Sequence, residues 1–393
     1  MKKVIRKKRS YLAMLLTAGS VLAACGNGQA ADTEITSEAE PSTVTLWANG
    51  SDNVKVGMEK VVEAFNESEA GEQYELELEF ILSGTGSQSL KDRIVAAEKT
   101  DQADTDYDLI LVSDAEYATY VQEGGEEIFT AYEEENVPNL ANVQTEVSDG
   151  EGILVPYRGT TVVLAYNSEN VETPPTTADE LYEWIEANPG RFAYNTPGSG
   201  GAGGSFVQTA IYNFLPEEAL TSSDETWSSQ WDEGFALLAE LNDSMYQTGG
   251  KVVYPNKNQG TLDLLVNQEV DMIPAWADML ITNLSNGTLP ETIKMAQITP
   301  GFTGNVDAMA IPTIGSNPEG AQAVMNFMLT EEAQQILLDN MAAIPVIDSE
   351  SITSDNSKYL EDLNVESFRT SSIGSLGATL NERWDQEIGT LAQ

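Results

Sequence analysis

The chain of 393 residues contains no histidine and a single cysteine. The absence of histidine excludes a Ser-His-Asp triad, a Cys-His pair and every imidazole ligand to a metal ion. One cysteine permits neither an intrachain disulfide nor a Cys-rich zinc site. Carboxylates, amides, hydroxyls and aromatic rings are therefore the groups left for chemistry or binding.

Basic residues are also scarce, since 19 Lys and Arg stand against 63 Asp and Glu, for a net charge of −44. A surface with this charge repels phosphate backbones, which excludes nucleic-acid partners. Apolar residues make up 41% of the chain and aromatic residues 8%, enough for an ordinary hydrophobic core. The length favours two or three globular units.

The first residues combine positive charge with a short apolar run. Residues 1–9 carry six basic side chains and no acid, and residues 11–24 carry no charge. The uncharged run is shorter than the roughly 20 apolar residues of a spanning helix, so we interpret it as part of an export signal. We expect residues 1–24 to be removed from the mature protein.

The signal ends in Leu22-Ala23-Ala24-Cys25, which resembles the lipobox of bacterial lipoproteins. The resemblance implies cleavage before Cys25 and diacylation of its thiol, and an ordinary signal peptide is the alternative. Residues 25–42 are small and polar, which predicts a flexible tether. Because two acyl chains anchor a protein stably, we expect it on the extracytoplasmic face of the bacterial cell membrane.

Beyond the tether, strand and helix patterns alternate along the chain. In residues 74–82 every even position is apolar and the first three odd positions are Glu, as in a half-buried strand, and residues 54–65 show helical spacing. Residues 177–187 show a helix pattern with Thr176 or Thr177 as its N-cap, and residues 191–194 show a strand pattern. Two strands then follow each other without a helix, and a second unit begins near Gly159. The pattern predicts an α/β fold with a mixed sheet in each of two hinged lobes. Lobe I is assigned to residues 43–158 and 302–345, and lobe II to 159–301 with 346–393 as a candidate addition.

Three patterns imitate known sites without completing them. Gly198–Gly203 has dinucleotide-loop spacing but no following strand that ends in an acid, which leaves a ligand-facing helix start or a surface loop. Asp101, Asp104, Asp106 and Asp108 lack the glycine and glutamate of a calcium loop, which favours a solvated loop. Paired-carboxylate catalysis, as in glycosidases, stays open on composition, although no local motif supports it.

Four stretches carry a family pattern: YDLILVS at 107–113, PYRG with AYN at 156–167, DMIPAW at 271–276, and DAMAIP with the later EAQ at 307–334. They resemble the extracellular solute-binding proteins of ABC importers, closest to the group that binds polyamines, thiamine and ferric ions. The resemblance implies a type II periplasmic-binding fold, no catalysis and no cofactor. It also implies a solute bound between the lobes and delivered to separate permease and ATPase subunits, and we expect a monomer.

The resemblance places residues at strand ends in the cleft and others at the hinge. A serine that follows the glycine-rich segment is added because a helix start there would face a ligand. The candidate ligand-binding residues are Trp47, Asn49, Ser51, Ser113, Asp114, Tyr157, Arg158, Ser205, Trp276, Asp278 and Asp307. Core positions are the alternative for Trp47 and Trp276, and a helix N-cap is the alternative for Ser113.

The candidate residues point to more than one class of solute. Trp276 and Asp278 favour an organic cation or zwitterion, because aromatic faces and buried carboxylates attract positive charge. Arg158 and the helix start near Ser205 would suit an anion, and stacked Trp with polar side chains would suit a sugar. The lack of His and of an adjacent Tyr-Tyr pair disfavours iron. A secreted carbohydrate-active enzyme and a surface adhesin are the alternatives to a receptor.

Overall fold

The computed structural model describes residues 40–82, 88–145, 147, 150–360, 363 and 369–392. The predicted signal, Cys25 and the tether up to residue 39 lie outside these residues. Among the helices of the described part, none has both the length and the apolar character needed to cross a membrane.

Strands and helices alternate through the described residues, as the sequence pattern predicts. The strands are β1 (Ser42–Gly50), β2 (Tyr74–Leu82), β3 (Leu109–Ser113), β4 (Phe129–Thr130), β5 (Val155–Thr160), β6 (Val162–Asn167), β7 (Gln247–Thr248), β8 (Lys251–Val252), β9 (Met272–Trp276), β10 (Ile293–Ala296), β11 (Thr303–Pro312) and β12 (Arg369–Thr370). The helices are α1 (Asp52–Glu67), α2 (Leu90–Glu98), α3 (Asp114–Gly124), α4 (Ala178–Ala187), α5 (Gly201–Tyr212), α6 (Asp232–Asn242), α7 (Lys257–Val266), α8 (Ala277–Ser285), α9 (Pro318–Met328), α10 (Glu331–Met341), α11 (Ser357–Leu360) and α12 (Leu376–Glu387).

The strands form two main sheets. The larger has the order β12-β11-β3-β1-β2, with β4 and β5 also paired to β11. In it β1 runs parallel to β2 and β3, whereas β11 is antiparallel to β3, β4 and β5. The second sheet, β10-β6-β9, is antiparallel throughout. The predicted α/β class is therefore confirmed. The larger sheet is mixed as predicted, whereas the prediction of a mixed sheet was wrong for the smaller one, whose strand pairs are all antiparallel.

The chain passes from one sheet to the other where β5 ends and β6 begins. Thr161 alone separates Thr160 of the larger sheet from Val162 of the smaller one. The chain returns through β11, which follows β10 and pairs with β5. The consecutive strands predicted at this point are thus the connection between the sheets.

A bulge distorts β5 beside β11. Arg158 pairs with Asp307 and Pro156 with Ala308, so Tyr157 is the extra residue on β5. The Tyr157 carbonyl accepts a hydrogen bond of 2.8 Å from Nε2 of Gln334, a buried side chain of α10. Gln334 also donates to the Met328 carbonyl at 2.8 Å and accepts from the Val346 N–H at 3.0 Å. The Gln334 amide therefore fastens α10 to the bulged strand.

Separate hydrophobic clusters lie against the two sheets. The larger sheet packs on residues such as Leu46, Phe65 and Met325, and Val346 belongs to the same cluster. The smaller sheet has a cluster rich in aromatic side chains, to which the C-terminal helix α12 contributes Trp384. Its indole N–H donates to the Tyr194 hydroxyl at 3.1 Å. Helix α12 is thus built into the core beside the smaller sheet.

Most local predictions agree with the structure. Strand β2 has the predicted bounds, with Leu76 buried and Glu75 and Glu77 exposed. Thr177 caps α4 by accepting a hydrogen bond from the Glu180 N–H at 3.1 Å, as the sequence predicts. The predicted strand at 191–194 was wrong, because Phe192 forms only isolated bridges there. The sequence pattern also left α3 and α8 unpredicted.

Asp108 corrects the interpretation of the acidic segment before β3. Asp101, Asp104 and Asp106 are exposed, as expected for a solvated loop. Asp108 is buried, and its Oδ1 accepts hydrogen bonds from the N–H groups of Ser316 and Asn317 at 2.8 and 2.9 Å. Asp108 therefore ties the start of β3 to the chain before α9. Within the described residues, no group of three or more Cys, Asp or Glu side chains is placed to hold a metal ion.

Candidate functional site

Arg158 lies at the centre of a buried charge cluster. Its Nη2 lies 2.5 Å from Oδ2 of Asp307, the residue opposite it on β11. Its Nη1 lies 3.6 Å from Oδ2 of Asp278, in the first turn of α8. The three side chains are between 10% and 14% exposed. Two carboxylates thus face one guanidinium, which leaves one negative charge in excess when both are ionised.

The guanidinium of Arg158 is only partly satisfied by this arrangement. Among the residues that the structure describes, neither Nε nor Nη1 has a hydrogen-bond partner. The contact from Nη1 to Asp278 is too long to be a hydrogen bond. A buried donor without a partner costs about 1–3 kcal/mol, so an acceptor from a bound solute would be stabilising there.

The short connection between the sheets positions Asp278. Trp276 ends β9 and precedes α8, and the N–H of Ala277 donates to the Thr161 carbonyl at 2.9 Å. This hydrogen bond holds the start of α8 against the residue that joins β5 to β6. Asp278 then points its carboxylate towards Arg158 and Thr160, whose Oγ1 lies 3.5 Å from Oδ1.

Burial and charge act in opposite directions on the cluster. Burial raises the pKa of Asp278, and this effect outweighs the opposing attraction of Arg158 and the N–H groups at the start of α8. Burial by itself lowers the pKa of Arg158, but the Asp307 carboxylate and its other neighbours reverse this and leave that pKa raised. Arg158 therefore stays protonated, whereas the ionised form of Asp278 is disfavoured until a further positive charge arrives.

A polar stripe on β11 continues from the charge cluster. Thr303, Asn305 and Asp307 alternate along the strand and therefore lie on one face of it. The Oγ of Ser205 donates to the Thr303 carbonyl at 2.7 Å, and the Thr303 hydroxyl donates to Oε1 of Gln208 at 3.0 Å. These bonds join α5 to the start of β11.

A cavity of about 270 Å³ lies between α5, β11 and the C-terminal segment. Among the predicted residues, Ser205 and Trp276 line it. Its other lining residues are Pro197, Gly201, Gly204, Gln208, Thr303, Asn305, Ser371, Ile373, Gly374, Gly377, Leu380 and Asn381. The cavity therefore lies beside the cluster. Asn305 in the cavity lining is two residues before Asp307 on β11, and Trp276 at the end of β9 is two residues before Asp278 in α8.

The glycine-rich segment serves the packing of Trp276. A Cβ atom at Gly201 would lie 2.7 Å from Cζ2 of Trp276, a distance that no ordinary side chain tolerates. The helix predicted to begin at Ser205 begins at Gly201, so the second half of the segment is the first turn of α5. Gly201 thus lets the backbone at the start of α5 approach the indole ring.

Other predicted residues lie away from this cavity and charge cluster. Trp47 is 8% exposed in a core beside the larger sheet, and its indole N–H donates to the Asp106 carbonyl at 2.9 Å. Asn49 and Ser51 are exposed at the end of β1. The placement of Trp47 agrees with the core alternative, and ligand contacts for these three residues stay predictions.

Ser113 and Tyr157 lie next to the charge cluster. Ser113 pairs with Asp307 across β3 and β11, and its Oγ caps α3 by accepting from the Glu116 N–H at 3.2 Å. Asp114 is the first residue of α3, and its side chain lies outside the described part. The Tyr157 ring is buried in the core of the larger sheet, which raises the pKa of its hydroxyl.

Residues 60–360 match the family of bacterial extracellular solute-binding proteins. The chain belongs to this family. Its sequence is 25% identical to Protein YnjB of Escherichia coli (strain K12) over 217 residues, 51% of this chain and 54% of that protein. The match thus spans about half the length of the relative. The expected membership in an extracellular solute-binding family is therefore confirmed.

Solved structures share the fold of this solute-binding protein. An ABC transporter protein from Clostridium perfringens has a TM-score of 0.62 at 14% identity, covering 89% of this chain and 100% of that one. The apo ferric ion-binding protein A of Pasteurella haemolytica has a TM-score of 0.65 at 11% identity, covering 90% and 99%. The predicted periplasmic-binding-protein fold is confirmed by these likenesses.

Several residues that line the cavity of this solute-binding protein were not predicted from the sequence. Asn305 shares an alternating face with the predicted Asp307, a period-two signal that was present in the sequence. Gln208 lies on the same helix as Ser205, three residues later. Ser371 and Asn381 had no comparable signal, because their approach to α5 depends on how the C-terminal segment packs.

Proposed function

We propose that this protein is a non-catalytic receptor for a small organic solute that carries a positive charge, as a cation or a zwitterion. The observation that carries the proposal is the buried cluster of Arg158, Asp278 and Asp307 beside the cavity. A solute cation near the two carboxylates would neutralise their excess charge. At about 4 Å and an effective dielectric constant near 20, one such attraction amounts to about 4 kcal/mol.

The free donors of Arg158 favour a solute that also carries an oxygen acceptor. Nε and Nη1 are buried and lack hydrogen-bond partners within the described residues. A carboxylate or hydroxyl of the solute would accept from them while its cationic group pairs with Asp278 or Asp307. This arrangement supports a zwitterion, and it disfavours a plain anion, which the two carboxylates would repel.

Capture would take place by closure of two lobes about the strands that connect the sheets. β5 and β6 are joined through Thr161, and β11 returns beside them, so a small change at these positions would move one sheet relative to the other. The proposed lobe I comprises residues 43–158 and 302–345, and lobe II comprises residues 159–301. We add α12 to lobe II because Trp384 packs in the core beside the smaller sheet.

Delivery would be to the permease of an ABC importer, with separate ATPase subunits that supply the energy. The family is one of extracellular solute-binding proteins, and a protein with the same fold is an ABC transporter protein from Clostridium perfringens. A monomer anchored to the bacterial membrane by an acylated Cys25 would capture solute outside the cell and remain near its permease.

Isothermal titration calorimetry tests the proposed class of solute. The panel comprises putrescine, γ-aminobutyrate, thiamine, glucosamine, glucose and glucose 6-phosphate, with wild type, Asp278→Asn and the control Asp263→Asn, an exposed aspartate on α7. We expect only the members that carry a cationic group, γ-aminobutyrate included, to bind, with an affinity loss of roughly 100-fold in Asp278→Asn and none in the control. Binding of glucose 6-phosphate or glucose alone, unweakened by Asp278→Asn, would overturn the proposal.

Analysis of the bound compound separates a receptor from an enzyme. After hours of incubation, mass spectrometry should recover the compound that binds in chemically unchanged form. A product that accumulates with time in the presence of wild type, and not of Asp278→Asn, would instead support paired-carboxylate catalysis.

A further inference from the structure

The cavity and the charge cluster form two neighbouring parts of one surface. Asn305 lines the cavity, and Asp307 belongs to the cluster on the same face of β11. Two residues along a strand span about 7 Å, which is within the length of a small organic molecule. In the same way, Trp276 lines the cavity and Asp278, two residues later at the start of α8, belongs to the cluster.

The two parts differ in their chemistry. The cavity lining includes no Asp, Glu, Lys or Arg among the described residues, whereas the cluster consists of charged side chains. Serine, threonine, asparagine and glutamine line one side of the cavity, and the Trp276 indole contributes an apolar surface. Such a lining suits an uncharged body with hydroxyl or amide groups and a flat or apolar face.

Two amides of the lining are available for a ligand. The side chains of Asn305 and Asn381 are half-buried, and neither forms a hydrogen bond within the described part of the chain. In contrast, Ser205 and Gln208 are engaged with Thr303. Asn305 extends from β11 and Asn381 from α12, so the free amides lie on two different walls of the cavity.

The C-terminal segment supplies a wall of the cavity. Ser371, Gly377 and Asn381 line it, and the Ser371 hydroxyl accepts a hydrogen bond from Nε2 of Gln208 on α5. A Cβ atom at Gly377 would meet no atom closer than 4.0 Å, so the absence of a side chain leaves usable space there.

We infer that this cavity holds the uncharged body of the solute and that residues 371–381 set which bodies fit. The charged group of the same solute lies at Arg158, Asp278 and Asp307, so the inference rests on the proposed function. A volume of about 270 Å³ lies just below the roughly 300 Å³ of the smallest drug-sized pockets, which limits the body to about one ring. The substrate class is an ammonium compound with a hydroxyl- or amide-bearing body.

Filling the cavity tests the inference directly. Gly377→Phe and Gly204→Leu each place a side chain at a lining position. A Cβ atom has room at both positions, because the nearest atom would lie 4.0 Å away at Gly377 and 3.7 Å away at Gly204. The matched controls are Ala378→Phe, the exposed next residue of α12, and Gly198→Leu, an exposed glycine with nothing within 4 Å of its Cβ position. Thermal unfolding without ligand establishes that all four variants fold.

The probes separate the body of the solute from its charge. Glucosamine carries a positive charge on a hydroxyl-bearing ring, putrescine carries charge without a polar body, and glucose carries the ring without charge. In calorimetry we expect glucosamine to bind at least ten-fold tighter than putrescine. The binding of glucosamine should weaken at least ten-fold in Gly377→Phe and Gly204→Leu but remain unchanged in the controls.

Different outcomes would overturn the cavity as the binding site of the body and the cationic class of the solute. Unchanged affinity in both cavity-filling variants, or putrescine as the tightest probe, overturns the inference and leaves the cationic class standing. Glucose as the tightest probe, lost in Gly377→Phe but retained in Asp278→Asn, overturns the cationic class and keeps the cavity as the site. Failure of these three probes and of γ-aminobutyrate to bind overturns both.

Discussion

Arg158 and Asp307 face each other across the two strands that connect the sheets, with Nη2 of the arginine 2.5 Å from Oδ2 of the aspartate. The bulge at Tyr157 lies immediately beside this pair, and Asp278 approaches the same guanidinium from α8. The residues that join the sheets and the residues proposed to hold the solute are therefore partly the same. Changes in the cluster should affect stability and binding in separable ways.

Asp307→Asn should destabilise the protein, because it removes the closest partner of a buried guanidinium. We expect the free energy of unfolding to fall by about 3 kcal/mol, as for other broken buried ion pairs. Asp232→Asn is the control, since Asp232 pairs with Arg383 but is 82% exposed and should cost less than about 1 kcal/mol. Urea unfolding measures both, and equal effects would contradict the buried role of Asp307.

Asp278→Asn should change the pH dependence of stability. Because the pKa of Asp278 is raised in the folded protein, the folded state holds this proton at pH values where the unfolded state has released it. Ionised Asp278 therefore costs stability at about pH 7, and the cost disappears as the pH falls below about 4. The variant should gain stability over wild type at neutral pH and lose that advantage in acid. Urea unfolding across this range checks the sign, and an advantage that grows in acid would refute it.

The two tryptophans proposed for the site should respond differently to substitution. Trp47→Ala removes a buried core ring and should cost about 3–5 kcal/mol of unfolding free energy. Trp276→Ala removes a partly buried ring that lines the cavity, so it should weaken solute binding severely while the melting temperature without ligand changes little. Calorimetry and thermal unfolding of both variants make the comparison, and a reversed pattern would place the solute beside Trp47.

Gln334→Leu should destabilise the protein although leucine has a similar size. The substitution leaves the Tyr157 and Met328 carbonyls and the Val346 N–H without their partner, at about 1 kcal/mol or more each. We expect a loss of about 3 kcal/mol in denaturant unfolding. Gln335→Leu, an exposed neighbour on α10, serves as the control and should change little.

Cys25→Ala should remove the lipid anchor of the protein without changing its solute-binding residues. If Cys25 is acylated, the variant should leave the membrane fraction or accumulate with its signal uncut, because no thiol remains to be acylated. Membrane fractionation with immunoblotting measures this, and Cys25→Ser provides a second variant. A variant that still fractionates with lipid as wild type does would contradict the lipobox prediction.

The sequence was sufficient for the elements whose side chains repeat with a clear period. The acidic and apolar alternation of β2 and the capped start of α4 could be read directly, because burial of one face imposes that spacing. Helix α8 escaped prediction since its apolar residues follow a buried strand without a break. Residues 191–194 do not form the predicted strand, because their pairing, for example with Met245, is limited to isolated backbone bridges.

The sequence by itself determined the family, the α/β class and the residue types available for binding, because these depend on composition, local period and motif. It also identified Arg158, Asp278 and Asp307 one by one as ends of strands or positions beside the hinge. Only the tertiary structure decided that these three meet, that Trp47 lies in a core and that Ser371 and Asn381 wall the cavity. The physical reason is that ion pairs and cavities depend on distances between segments far apart in the chain, and those distances are set by packing and strand register.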